Sequence, residues 1–183
     1  MNESMYREDV HRHAVSEDGE FIYNSSYGHA RDLVEELFIK AEHEVCILTN
    51  RLDQRVFSGK SITDLADYFM AKSGAKLRVL IESSEVEDAL GSHPMIEKLD
   101  NGDRLDIRLV PESATKYYKY NFMVVDGKHF RYEADRQQIN AIATFGDAIK
   151  GDHLRKIFDK IWNHSKIVKI MPASCEAREE VTA

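Results

Sequence analysis

The sequence predicts one α/β domain in which helices cover both faces of a mixed, largely parallel sheet. Apolar segments with helical spacing alternate along the chain with short apolar runs of strand length, which is the pattern of layered α/β proteins. The length of 183 residues lies within the usual range for one domain, and 43% apolar residues are enough for an ordinary core. We therefore expect a single hydrophobic core within residues 20–171.

The first half of this domain has the order helix, strand, helix, strand. Residues 27–41 carry apolar side chains at helical spacing, and Ser26 precedes them as an N-cap. Residues 45–48 and 77–81 are short runs typical of buried strands, and residues 61–72 between them have helical spacing. A strand–helix–strand unit normally makes parallel neighbours with a right-handed crossover.

The second half adds a strand, a hairpin, another strand and a closing helix. Residues 105–110 alternate as a strand does, and the Asp126-Gly127 pair inside residues 121–132 is a strong hairpin signal. Residues 139–145 predict a further strand. Residues 147–164 return to helical spacing and predict the last helix.

The two ends of the chain have no apolar period. Residues 1–19 are polar and mixed in charge, and residues 172–183 have the same character. Such segments cannot bury enough apolar surface to compensate for the entropy of ordering. We expect a flexible N-terminal arm and a flexible C-terminal tail, both outside the core.

Composition limits the compartment and the partners. The net charge of −7 and the pI near 5.6 argue against sequence-independent nucleic-acid binding, which depends on Lys and Arg. Cys46 lies in an apolar run and Cys175 in the polar tail, so no disulfide framework is predicted and a reducing compartment is favoured. No segment has the length and apolar character of a membrane span or a signal peptide. A soluble, cytoplasmic protein is the expectation.

One segment carries a specific resemblance. Lys119 to Gly127 reads KYNFMVVDG, an apolar strand followed by Asp126 and Gly127. This resembles the signature strand of the phospholipase D superfamily, written H-x-K-x4-D. Lys119 stands at the position of the signature histidine and Asn121 at the position of the lysine, so two of the three signature residues differ.

The resemblance extends over about residues 30–170. It implies a phospholipase D-like half: a helix, a strand with a polar end, a helix, a second strand, the signature hairpin and a closing helix. The family's G-S-x-N element usually starts about seven residues after the aspartate. Glu133-Ala134-Asp135-Arg136 occupies that window, so the serine and the asparagine are also replaced.

These replacements remove the groups that the family's chemistry uses. The resemblance implies that the histidine attacks phosphorus while the lysine and asparagine hold the phosphate oxygens. A lysine ammonium is protonated at neutral pH and has no lone pair, so Lys119 is a poor nucleophile. Asn121 keeps a hydrogen-bond donor but lacks the positive charge with which a lysine would stabilise the phosphate in the transition state. We predict that classical activity has been lost.

His129 is the one substitute nucleophile that we weighed. It follows Asp126 across the hairpin turn, where it either faces the same pocket or is an exposed hairpin residue, and the exposed position is favoured. His11 and His13 form an H-x-H pair, but two ligands are fewer than a zinc site needs. The sequence predicts no metal and no cofactor.

The segment before the hairpin has two interpretations. Lys116 to Tyr120 interleaves basic and aromatic residues, as nucleic-acid surfaces do, but a strand entry with buried tyrosines and solvated lysines is favoured. Asp126 and Gly127 are expected to be structural, as turn residues. The predicted ligand or interface pocket consists of Tyr118, Lys119, Asn121, Glu133 and Arg136.

The leading hypothesis is a non-catalytic, phospholipase D-like module that binds a ligand or a protein partner as a scaffold or sensor. It is expected to be a homodimer with Tyr118, Lys119, Asn121 and Glu133 near the two-fold axis, because family active sites are usually built from two halves. The first alternative is a phosphodiesterase or nuclease with a rearranged site, in host defence or nucleic-acid processing. The second is a nucleic-acid-binding module without cleavage. The identity of the partner is not predicted.

Overall fold

Eight strands form one sheet in the computed structural model, which describes residues 3–82, 90, 92–99 and 105–168. Across the sheet the strand order is β1-β7-β6-β5-β2-β3-β4-β8. The strands are β1 (Ile22–Asn24), β2 (Glu44–Thr49), β3 (Lys76–Ile81), β4 (Leu105–Leu109), β5 (Asn121–Val125), β6 (His129–Glu133), β7 (Ala141–Thr144) and β8 (Lys166–Ile167).

The sheet is mixed, as predicted, but it is not largely parallel. Strand β3 runs parallel to β2 and β4 on either side of it, which confirms that β2 and β3 are parallel neighbours, as predicted. The other five pairings within the described part of the chain are antiparallel, so the expectation of a largely parallel sheet was wrong. The hairpin turn at Asp126-Gly127 makes β5 and β6 antiparallel, whereas the direction of the other antiparallel pairs depends on which strands become neighbours in the sheet.

Helices cover both faces of the sheet, as predicted. Alternate residues of β2 show the division, since Val45 and Ile47 belong to one core cluster while Cys46 and Leu48 belong to the other. The last helix packs on the Cys46 side and the remaining long helices pack on the Val45 side. The helices are α1 (Glu3–Ser16), α2 (Tyr27–Lys40), α3 (Gln54–Phe57), α4 (Lys60–Met70), α5 (Pro94–Leu99), α6 (Glu112–Thr115) and α7 (Ala148–Trp162).

Helix α2 begins where the sequence predicts it. The Ser26 side chain accepts a hydrogen bond from the backbone N–H of His29 at 3.1 Å, which satisfies one of the free amides of the first turn. Among the residues that the structure describes, no helix is both long enough and apolar enough to cross a membrane.

The N-terminal segment is part of the core, so its predicted exclusion was wrong. Helix α1 packs on α2 and buries Tyr6, Val10 and Ala14, which are 3%, 0% and 1% exposed. These residues recur every fourth position on one face, but they are separated by charged residues that hide the period. The predicted C-terminal tail, residues 172–183, lies outside the described residues.

Candidate pocket at the signature hairpin

A cavity of about 320 Å³ opens where β2 ends and β5 begins. Asn121 is the first residue of β5 and lies opposite Glu133, the last residue of β6. Asn121 and Met123 project from the face that α2 covers, as alternate residues of a strand do. The lining residues include Tyr27, Thr49, Asn50, Arg51, Asp53, Val56, Phe57, Asn121, Met123, Arg131, Glu133, Arg136, Gln137, Gln138 and Ile139.

A hydrogen-bonded chain of side chains crosses the pocket. The backbone N–H of Asn50 donates to Asn121 Oδ1 at 3.0 Å, and Asn121 Nδ2 donates to Glu133 Oε2 at 2.7 Å. The other carboxylate oxygen of Glu133 pairs with Arg131 Nη1 at 2.6 Å. The Arg131 and Glu133 side chains are only 7% and 10% exposed. Both oxygens of the Glu133 carboxylate are therefore engaged inside the protein.

Arg131 also ties the edge of the sheet to the pocket. Its Nε donates to Asn24 Oδ1 at 2.9 Å, and its Nη2 donates to the Ile139 carbonyl at 3.3 Å. Asn24 Nδ2 donates to the same carbonyl at 2.8 Å. Asn24 is 3% exposed, and its contact with the Arg131 side chain is buried.

Arg136 closes another side of the pocket. Its guanidinium pairs with the Glu82 carboxylate and donates to the Tyr118 carbonyl. The Arg136 Nε is buried and has no hydrogen-bond partner among the described residues. The Arg136 guanidinium therefore joins the segments that contain Glu82 and Tyr118 at this wall.

Asp53 holds the mouth of the pocket. Its carboxylate accepts hydrogen bonds from the backbone N–H of Arg55 at 3.0 Å and from Arg55 Nη2 at 2.7 Å, and it lies 3.5 Å from Arg51 Nη2. Burial opposes ionisation, but the Arg55 hydrogen bonds lower the pKa of Asp53 overall. Asp53 is therefore an ionised N-cap that is already neutralised by arginine.

The structure brings together three of the five residues predicted to form the pocket. Asn121, Glu133 and Arg136 line it. The Tyr118 ring instead packs with the cluster beneath α7, where it contacts Tyr120 edge-on at 5.8 Å, and only its carbonyl reaches Arg136. Lys119 is exposed and is not among the lining residues.

His129 lies at the other end of the hairpin from the pocket. It is opposite Val125, four positions along β5 from Asn121, which is roughly 13 Å at the usual rise per residue. The favoured prediction of an exposed side chain was wrong, because His129 is fully buried and its Nδ1 accepts from the Gly146 N–H at 3.1 Å. Burial lowers its pKa to about 4. His129 is not among the residues that line the pocket, which contradicts the alternative position as well.

The signature aspartate binds backbone amides. The Asp126 carboxylate accepts from the N–H groups of Glu42, His43 and Glu44 at 2.8, 2.9 and 2.7 Å. These three residues form the entry to β2. Asp126 therefore joins the hairpin turn to the neighbouring strand.

The glycine after the aspartate has a left-handed backbone and lies against a second glycine in α7. Gly127 has φ of +65°, a conformation that side chains rarely adopt. A Cβ placed at Gly151 of α7 would lie 2.5 Å from the Gly127 carbonyl oxygen, so the turn and the helix are in close contact. Gly151 lets the hairpin turn pack directly on α7, and Gly127 permits the turn conformation.

Sequence reasoning missed the contribution of Asn24. This residue is 107 positions away from Arg131 in the chain and lies in a short edge strand, so no local pattern marks it. Within the described residues, no group of three or more His, Cys, Asp or Glu side chains is arranged to hold a metal ion.

Solved structures with a similar fold support the predicted fold class. TrmBL2, an archaeal chromatin protein reported to show a novel mode of DNA binding, matches with a TM-score of 0.59 and 13% identity over 81% of this chain and 53% of its own. Nuc from Salmonella typhimurium, a phospholipase D family member, matches with a TM-score of 0.53 and 14% identity over 81% and 95% of the two chains. Phosphatidylserine synthase from Haemophilus influenzae Rd KW20 gives 0.54 and 10%, over 82% and 40%.

The chain thus spans about half the length of TrmBL2 and nearly all of Nuc. The likeness shows a phospholipase D-like fold, as the signature hairpin predicts. No curated protein matches the sequence at a significant level. The family model described as a domain of unknown function, DUF7931, matches residues 26–170, which contain the hairpin and most of the pocket. The chain therefore belongs to the DUF7931 family.

Proposed function

We propose that this chain is a non-catalytic module with a phospholipase D-like fold that binds a ligand or a partner protein through the pocket between β2, β5 and β6. The carrying observation is that Asn121, at the position of the signature lysine, donates to Glu133, and that Glu133 pairs in turn with Arg131, so these groups satisfy one another. A binding site needs such rigid, satisfied walls, whereas covalent catalysis needs a free nucleophile.

The lining residues support the absence of phosphodiester chemistry. The described side chains that line the pocket include no His, Cys, Lys or Ser. Both oxygens of the Glu133 carboxylate are occupied, and its negative charge opposes a phosphate. The phosphodiesterase alternative that uses His129 is weakened by the distance of that residue from the pocket.

A hydrolysis assay tests this proposal. The purified chain is incubated with bis(p-nitrophenyl) phosphate, with DNA and with RNA, beside a buffer blank and the His129→Ala and Glu133→Gln variants. We expect no turnover above the blank for any of the three proteins. Turnover by the unaltered chain that either substitution abolishes would overturn the proposal in favour of a rearranged phosphodiesterase.

A nucleic-acid-binding role is the second candidate. Tyr117 is 79% exposed and lies between the exposed lysines Lys116 and Lys119, which is a surface that stacks bases and contacts phosphates. The DNA binding reported for TrmBL2, which shares the fold, is compatible with this role. If it is correct, binding to single-stranded DNA weakens steeply with salt and with Lys116→Glu or Lys119→Glu, but not with Lys60→Glu on α4. Binding that is absent or insensitive to salt would exclude it.

We also propose a homodimer with Tyr118, Lys119, Asn121 and Glu133 near the two-fold axis. The proposal rests on the phospholipase D-like half that the signature implies. Sedimentation velocity at micromolar concentration tests it directly. A strict monomer in that range would remove the dimer from the proposed function.

A further inference from the structure

The face of the sheet on the Cys46 side is only partly covered. Helix α7 packs on β2, β5 and β6, and the sheet continues from β6 through β7 to β1. Tyr132 of β6, Ile142 of β7 and Tyr23 of β1 are opposite one another in the strand register. Their side chains therefore form a row across this face. Tyr23 is 70% exposed, so the row ends in solvent at the edge of the sheet.

A groove of about 1030 Å³ lies between this row and α7, and it is larger than the pocket at the signature hairpin. A second depression of about 390 Å³ shares Tyr132 and Ile142 with this groove and extends to Tyr23. The two depressions are therefore continuous, and we call them together the outer groove. Apolar side chains of the sheet and of α7 line its larger part: Tyr120, Phe130, Tyr132, Ile142, Ala148, Ile149, Leu154 and Ile157.

The rim of the outer groove is apolar as well. Ile149 lies in the first turn of α7 and is 86% exposed, although it carries a large aliphatic side chain. Phe21 is 40% exposed, and Lys150 Nζ lies 5.0 Å from its ring centroid. Soluble monomers rarely leave large contiguous apolar patches exposed, and such patches mark interaction sites. The outer groove therefore has the character of an interface.

The lysines at the outer groove are paired within the chain. Two lysines line it, and each has a carboxylate partner in α7 or at its N-cap: Lys150 pairs with Asp147, and Lys156 pairs with Asp152 at 2.6 Å. The whole chain, in contrast, has a net charge of −7, so two copies repel each other on average. A face with an apolar centre and paired lysines is where two copies can approach closely.

The positions of Asp152 and Lys156 also suit a two-fold axis. These residues are about one helical turn apart, and both line the outer groove. A two-fold axis that crosses α7 between them reverses the direction of the second helix, which brings Asp152 of each copy beside Lys156 of the other. Because the two side chains are 41% and 66% exposed, they can exchange partners without leaving a buried charge unpaired.

We propose that the outer groove is a self-association surface, on which a second copy of this chain packs its own α7 about a two-fold axis. The contact covers the exposed Ile149 and exchanges the Asp152–Lys156 pairs between the copies. The pocket at the signature hairpin opens on the opposite face of the sheet. This contact is therefore separate from the dimer proposed around Asn121 and Glu133, and it goes beyond the proposed function.

Sedimentation velocity of the full chain over a micromolar concentration series tests the association. We expect Ile149→Glu to weaken it at least tenfold, because the substitution places a charge in the contact. Ile39→Glu is the same change at a 52% exposed position on α2 and is expected to leave the association unchanged. Circular dichroism melting establishes that both variants are folded. Association that Ile149→Glu does not weaken, or a chain that stays monomeric throughout the series, overturns the inference and leaves this face to a different protein.

An exchange of charges between two variants locates the contact on α7. Asp152→Lys and Lys156→Asp each leave two like charges at these positions, positive in the first variant and negative in the second. Copies of one variant therefore repel each other, whereas copies of different variants attract. We expect each variant alone to associate at least fivefold more weakly than the unaltered chain, and an equimolar mixture to sediment as a larger species than either variant alone.

A mixture that gives no larger species than the separate variants overturns the inference. Neither substitution alters a residue that lines the pocket at the signature hairpin, so this result is independent of the dimer proposed there.

Discussion

Arg131 and Glu133, alternate residues of β6, form a 2.6 Å ion pair in which neither side chain is more than 10% exposed. Asn121 in β5 donates to Glu133, and Asn24 in β1, on the other side of β7, accepts from Arg131. The pair therefore joins the signature hairpin to the edge of the sheet. It also places a carboxylate inside the pocket, where the resemblance implies that a phosphate binds.

Breaking this pair should destabilise the protein. Glu133→Ala leaves the Arg131 charge buried without its partner, and we expect the free energy of unfolding to fall by about 3–5 kcal/mol. Urea denaturation measures the change. Asp64→Ala is the control, since it removes a pair with Lys60 whose side chains are 47% and 89% exposed and should cost at most about 1 kcal/mol. Similar losses in both variants would show that the β6 pair is screened by solvent.

Asp126 should contribute to stability through its three backbone hydrogen bonds. Asp126→Ala removes both acceptor oxygens, and with them all three hydrogen bonds, and places alanine at φ of +50°, so we expect a loss of at least about 3 kcal/mol in urea denaturation. Asp126→Asn keeps one acceptor oxygen and tolerates the left-handed backbone, so its loss should be clearly smaller. An equal loss for the two variants would mean that the carboxylate contributes little beyond the turn conformation.

Helix α1 should stabilise the domain through its buried face. Val10→Ala creates a cavity at a fully buried position, and we expect the free energy of unfolding to fall by about 2 kcal/mol. Val15→Ala is the matched control on the same helix, because Val15 is 69% exposed and its truncation should change stability by less than about 0.5 kcal/mol. A neutral Val10→Ala variant would show that α1 does not pack on the core in solution.

His129 should make the stability depend on pH below neutrality. Burial lowers its pKa to about 4, whereas an unfolded histidine binds a proton below about pH 6.5. The unfolded state therefore takes up more protons between these values. The stability is complete above about pH 6.5 and falls as the pH decreases toward 4, by at most about 1.4 kcal/mol per pH unit for this residue.

Urea denaturation between pH 5 and pH 7 checks this slope. His129→Asn offers a side-chain oxygen in place of the Nδ1 that accepts from Gly146, and we expect it to reduce the slope. Burial also lowers the pKa of His93 to about 4, so part of the slope should remain. His153→Asn, which replaces an exposed histidine, is the matched control variant. A slope that His129→Asn does not alter would contradict the effect of burial.

The sequence predicted most elements of the fold because their signals are local. Ser26 before an amphipathic run predicts the start of α2, and Asp126-Gly127 between apolar runs predicts the β5–β6 hairpin. Helix α1 escaped prediction because only Tyr6, Val10 and Ala14 mark its buried face. The direction of most strand pairs was also not predicted, because it depends on which strands become neighbours in the sheet.

For the candidate site, too, some features follow from the sequence and others only from the tertiary structure. By itself, the sequence determined that the signature positions carry Lys119 and Asn121, because residue identity at a fixed spacing needs no coordinates. Tertiary structure alone decided that Lys119 lies outside the pocket and that Asn24 reaches Arg131. It also decided that Glu133 neutralises that arginine. The physical reason is that charge compensation acts over a few ångströms in space, between side chains that the strand order brings together from distant parts of the chain.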